Sequence, residues 1–216
     1  MRTQDQGSSV RILLQALKLF SERGYDASSV REICEAAGIT KPTLYHYFGS
    51  KEGVFRALVE GVFAEMRTGL LEILGDPGTV PERLKRIARA YFQKAIEKKE
   101  LMRFLMSVVY GPPSSAPVGD VHRLYEEYVR LIREALDGGV AAGELVAGPT
   151  DARVLAFNGA LGEAVSGFLT VGRPELTPDL ADRLVEVVLG GWHLALQEPS
   201  GGPAAHPSPR NQETTP

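Results

Sequence analysis

The stretch VREICEAAGITKPTLYHYFGSK, residues 30–51, decides the fold. Val30, Ile33, Cys34 and Ala37 recur at i, i+3, i+4, i+7, the stripe of a helix lying on a core. Ser29 precedes that stripe as an N-cap, and Glu32 completes a capping box with it. Gly38 falls just past the stripe, where a helix end often takes a left-handed residue. Thr40 is placed to cap the next helix, and Pro42 lies in its first turn, where a missing N–H costs nothing. Within 42–48, Leu44 and Phe48 are four apart and predicted to face inward. Lys41, Thr43, Tyr45, His46 and Tyr47 then face outward.

Two short helices joined by a glycine-containing turn describe a helix-turn-helix. The outward set holds a cation, a hydroxyl, two phenols and an imidazole, and no carboxylate. Such groups suit a phosphate-lined groove, where hydroxyls and cations bond phosphate oxygens and a Thr methyl or Pro ring touches a thymine methyl. Lys51 stands at the head of the following helix, where backbone N–H groups already favour an anion.

The run from Ile12 to Ala57 resembles the DNA-binding domain of the TetR family of bacterial transcription regulators. The resemblance rests on Leu17-Lys18-Leu19-Phe20, Gly24-Tyr25, the helix Val30–Ala37, the run Gly38–Phe48 and Ser50-Lys51-Glu52. It implies roles residue by residue. Lys41, Pro42, Thr43, Tyr45 and His46 match recognition-helix positions that meet bases or phosphates. Tyr47 and Lys51 match phosphate-contacting positions. Ser29 matches a hydroxyl that meets the DNA backbone. Arg31 matches a position that can reach a base, although a solvated helix surface explains it equally well.

The 216 residues suffice for one large or two small domains, with a formal net charge of −3. Residues 1–54 carry seven Lys/Arg against six Asp/Glu, or +1, and the remainder seventeen against twenty-one, or −4. The DNA-facing end is thus the less acidic one. This near-neutral balance argues against a nonspecific architectural DNA binder, which depends on many phosphate contacts. The lone cysteine, Cys34, precludes a disulfide within the chain and reads as a small buried hydrophobe. No signal sequence is recognisable, and no apolar run approaches the ~20 residues of a membrane span. A cytoplasmic protein is expected.

The expected fold is all-α. An N-terminal three-helix helix-turn-helix unit (1–50) is followed by a helical effector-binding and dimerisation domain (51–197) and a disordered tail (198–216). Residues 1–8 are expected to fray. A first helix over 9–23 shows Val10, Leu13, Leu14, Leu17 and Phe20 on one face. A long helix from Ser50 to about Leu74 is a lever between the two domains. Further helices are expected over 80–98, 101–110, 120–136 (ended by Gly138-Gly139), 149–171 and 178–197. Thr79 with Glu82 makes a second capping box.

In the last two helices, Ala156, Gly159, Ala160, Glu163 and Gly167 share one face. Leu184, Val188, Gly191 and Trp192 share another. Small residues let helices approach closely, so these faces are expected to form either a four-helix homodimer interface or internal packing. The resemblance favours the dimer. Phe63, Met66, Phe92, Phe104, Met106, Tyr125, Tyr128 and Asn158 are expected pocket-lining residues. They also include Tyr91, Met102, Tyr110 and Phe168 in a wider set. Mixed aromatic and Met side chains with a few polar tips suit a small organic effector. His122 is a further residue able to orient a ligand.

No hydrolase elbow, phosphate-binding loop, dinucleotide fingerprint or zinc-protease motif occurs. No cofactor, metal site or catalytic residue is expected, and the protein is not read as an enzyme. The expected function is that of a dimeric regulator, a repressor released from a palindromic double-stranded operator by its effector. The alternative is an all-α enzyme or small-molecule carrier with the N-terminal unit as scaffold.

Overall fold

The structure, a computed structural model, describes residues 2–111 and 115–190. Helices α1 (Arg2–Arg23), α2 (Val30–Ala37) and α3 (Lys41–Phe48) form the N-terminal unit. Helices α4 (Lys51–Gly75), α5 (Val80–Glu97), α6 (Lys99–Val109), α7 (Val118–Ala141), α8 (Thr150–Val171) and α9 (Pro178–Gly190) follow. Among the described residues there is no strand.

Ile12, Ala16 and Phe20 of α1 close on Ile33, Cys34 and Ala37 of α2 and Leu44 of α3, all buried. The seam of α1 is rotated from the expected face, so Val10 and Leu14 point outward, each more than half exposed. α1 also starts earlier than expected, at Arg2. Residues 2–8 hold no proline, so nothing in their sequence forbids helix.

The capping box at α2 forms: the Ser29 amide and hydroxyl donate to Glu32 Oε2 at 2.9 and 2.7 Å. Gly38 closes α2 at φ 63°, a left-handed turn that a β-carbon would strain. The second box forms likewise, with the Thr79 amide donating to Glu82 Oε2 at 2.8 Å. Thr40 occupies the N-cap of α3 but makes no side-chain cap. Its hydroxyl bonds the Thr43 hydroxyl instead, at 2.9 Å.

α7 runs through Gly138-Gly139 to Ala141. The glycines do not end it, because α7 and the head of α5 meet there. A β-carbon on Gly139 would lie 2.9 Å from Val80 Cγ2. Phe48 is half-buried rather than fully inward.

Two helices tie the N-terminal unit to the rest. Phe55 of α4 and Phe104 of α6 meet Phe20 and Tyr25 in one aromatic cluster, with Tyr25–Phe55 centroids 5.1 Å apart and Phe55–Phe104 centroids 5.6 Å apart. Such offset and edge-on pairs favour a fixed relation between the helices. Beside them, the Ser115 amide and hydroxyl donate to the Asp26 carboxylate. These bonds hold the Asp26 carboxyl below its ordinary range.

α8, 22 residues long, is apolar enough to cross a membrane by length and composition, which the sequence reading did not anticipate. It carries Asp151, Arg153 and Glu163, and its inner face, including Val154, Phe157, Leu161 and Val165, is buried among the other helices. A core helix of a soluble protein passes the same test.

Candidate DNA-reading surface and effector pocket

α3 stands on α2 and on the start of α4 with Leu44 fully buried beneath it. That anchor leaves Lys41, Pro42, Tyr45 and His46 exposed, with Thr43 and Tyr47 half-buried. His46 and Tyr47 rings lie edge to face at 5.4 Å. Arg31 is exposed on α2 and pairs with Glu35 at 3.6 Å. A surface pair of this kind contributes little, so the guanidinium is free to exchange it for another acceptor. Ser29 is exposed, its hydroxyl engaged by Glu32. Cys34 is buried, and burial pushes its thiol pKa up. It is inert packing rather than a reactive group.

Lys51 is engaged within the chain. Its ammonium turns back to the α1–α2 turn, donating to Tyr25 O at 3.0 Å and Ser28 O at 2.9 Å. It also lies 4.0 Å from the Tyr25 ring centroid. Lys51 therefore braces the helix-turn-helix against α4.

The helices below wall a pocket. Phe63, Met66, Met106, Tyr125, Tyr128 and Asn158, all expected from sequence, line it. So do Tyr91 and Tyr110 of the wider set. Phe92 and Phe104 do not. Phe92 is packed in the core at 2% exposure, and Phe104 belongs to the aromatic cluster beneath α1. Leu105, Val109 and Leu161 also line the pocket and were not expected. Leucine and valine at helical spacing carry no signal that separates a cavity wall from core.

Four phenols converge here. Tyr125 is hydrogen-bonded to Tyr110, and burial with this contact pushes its pKa up to about 12. Burial also raises Tyr91 and Tyr128 well above the ordinary phenol value. Tyr91, Tyr125 and Tyr128 are therefore neutral donors at physiological pH. No lining side chain is charged.

On α8, Ala156, Gly159 and Glu163 are exposed, and Ala160 and Gly167 are half-buried. Leu155 and Val171 of α8 and Val187 of α9 are 75%, 76% and 71% exposed. They form part of an apolar outer surface that the sequence reading did not include. Leu184 is half-buried. Val188 is buried within the chain at 9%, contrary to expectation, because Ala181, Val185 and Val188 form the inward stripe of α9. Gly191, Trp192 and the expected tail lie outside the described residues.

Residues 12–58 match the family model for bacterial regulatory proteins of the tetR family. The chain is 28% identical over 144 residues to the HTH-type transcriptional regulator UidR of Escherichia coli, covering 64% of this chain and 71% of that protein. The fold is shared with solved structures. The regulator FadR from Bacillus subtilis, in complex with stearoyl-CoA, superposes with a TM-score of 0.74 at 20% identity, covering 84% of this chain and 98% of that one. AibR, in complex with isovaleryl coenzyme A and operator DNA, superposes with a TM-score of 0.69 at 22% identity, covering 84% of this chain and 98% of that one.

Proposed function

We propose that this chain, which belongs to the TetR family of bacterial transcriptional regulators, is a cytoplasmic, effector-released repressor. One observation carries the reading. A recognition helix with an outward face of Lys41, Pro42, Tyr45 and His46 belongs to a three-helix unit that packs on α4 and α6, two of the helices that wall an uncharged pocket. The solved relatives with bound coenzyme A thioesters, one of them on operator DNA, support a small organic effector.

Two copies joined through the outer faces of α8 and α9 would set two α3 helices into successive major grooves, about 34 Å apart. The operator would then be a palindrome. Thr43 and Arg31 would read bases, while Lys41, Tyr45, His46, Tyr47 and Ser29 would meet bases or phosphates. The N-terminal unit of 1–50 would be the reader, and 51–197 the sensor and dimer contact. Effector binding would favour a dimer in which the two reading helices are wrongly spaced, and it acts only as far as it binds the two states differently.

The test is fluorescence anisotropy of the purified protein on DNA flanking its own gene, against random competitor across a salt series. A library selection would supply the site if the flanking DNA lacks one. Thr43→Ala should change sequence preference. Equal losses on operator and random DNA would overturn base readout by Thr43, and no specific site from the library would overturn the regulator reading.

A further inference from the structure

A second cavity lies beside the first between α4, α5 and α7. Its lining includes Gly69, Leu70, Ile73, Ile87 and Ala90, with Glu65 and Lys94 paired at 2.5 Å. Met66, Tyr91 and Tyr128 line both cavities. The two thus adjoin as lobes along three shared side chains. Met66 is half-buried, and its unbranched thioether adapts to whatever lies against it.

The lobes differ in chemistry. The first offers the phenols and the Asn158 amide, and among the described residues Tyr91, Tyr128 and Asn158 have no side-chain hydrogen bond. The second offers leucine, isoleucine, alanine and a glycine, and its charges cancel in the Glu65–Lys94 pair. A charged group would find no free counterion in either lobe, and burying it would be costly.

Resting on the effector pocket proposed above, we propose that the ligand is a molecule with a flexible, unbranched apolar chain and one uncharged hydrogen-bonding group, such as an ester or thioester carbonyl. The carbonyl accepts from the phenols of the first lobe. The chain passes Met66 and ends in the α4–α5 slot, and Gly69 sets how much chain the slot takes. A β-carbon on Gly69 meets nothing within 4 Å, so the position has room to start a side chain.

The experiment is calorimetry on the full-length protein with straight-chain fatty acid methyl esters from butyrate to myristate, repeated with Gly69→Leu. The coenzyme A thioesters and free acids of the same chains form the other arms. In the native protein, affinity should rise about fourfold per added methylene well beyond the short esters. Gly69→Leu should keep short-ester affinity and lose the gain for long ones, while helix propensity favours its folding. Thioester binding that follows chain length as the esters do would show that the acyl part is what the two lobes read. Binding of free acids alone would overturn the uncharged group. Affinity that levels off at short esters in the native protein, or an unchanged long-ester series in Gly69→Leu, would overturn the two-lobe chain site. Operator release, measured separately, keeps the two readings apart. Release by some other molecule while no chain binds overturns this inference alone. Chains that bind as expected without altering DNA affinity support it and overturn the effector reading.

Discussion

Replacing Lys51 by Met tests the brace at the base of the DNA-reading unit. The methionine keeps most of the apolar stem and removes the ammonium. Lost with it are two charge-assisted hydrogen bonds, at 3.0 and 2.9 Å, and a cation–π contact at 4.0 Å. Bonds to charged groups contribute about 1.5–3 kcal/mol each when sheltered. Lys51 is half-buried, and water can reach the freed carbonyls, so only part of that total should be felt. The expected loss is about 2 kcal/mol of stability, roughly thirtyfold in the folding equilibrium. Urea unfolding at matched protein concentration measures it. A salt titration of operator binding then separates bracing from phosphate contact. A lost phosphate contact lowers the slope of log K against log salt by about 0.9, whereas a lost brace weakens binding with the slope unchanged. An unchanged urea midpoint with a slope lowered by about 0.9 would refute the brace.

Neighbouring glycines in α7 should respond oppositely. Gly138→Ala meets nothing within 4 Å and should stabilise by up to about 1 kcal/mol, whereas Gly139→Ala presses on Val80 Cγ2 at 2.9 Å and should cost about 1–3 kcal/mol, both read from thermal melts. Leu155→Asp places a charge on the apolar outer face of α8 and should convert a dimer to a monomer in sedimentation with loss of operator binding; an unchanged dimer would move the interface elsewhere. Asp26 is held below its ordinary pKa of 3.8 by Ser115, so the contact stabilises fully above that pH and is lost as pH falls through the folded value. The stability gap between the native protein and Asp26→Asn should therefore close in acid below about pH 4, and a gap unchanged there would exclude the carboxylate as its source.

The helix-turn-helix was legible because its signals are local. The Ser29–Glu32 box, Gly38 and the 30–37 stripe each need only neighbours a turn or two away, and all three form. What was not legible depends on distant partners. Lys51 at a helix head gives no sign in sequence that Tyr25 O and Ser28 O, more than twenty residues upstream, engage it. Gly139 reads as a helix stop until Val80 and Leu145 are seen crowding the same turn. Phe92 and Phe104 share the spacing and chemistry of Phe63, and only the tertiary fold puts Phe63 on a cavity wall and the others elsewhere. Val10 and Leu14 fit an apolar stripe, but Ile12 and Ala16 lie on the actual seam, which only the neighbouring helices define.

The long α4 lever expected from sequence has a partner in α6. Leu105, Met106 and Val109 of α6 face the pocket, and Phe104, one residue away, faces Phe20 and Phe55. α4 has the same division, with Phe63 and Met66 on the pocket and Phe55 in the cluster. A ligand that moves either helix therefore changes the bed on which α1 and Tyr25 rest. Our hypothesis is that Phe104 transmits the signal without contacting ligand or DNA. Phe104→Leu should leave effector affinity and effector-free operator affinity within about twofold, while reducing the coupling, which is typically 1–3 kcal/mol. A thermodynamic cycle of operator binding with and without effector measures all three quantities. Parallel loss of both affinities would mean that Phe104 only supports the fold. Full coupling in the variant would leave α4 alone to carry the signal.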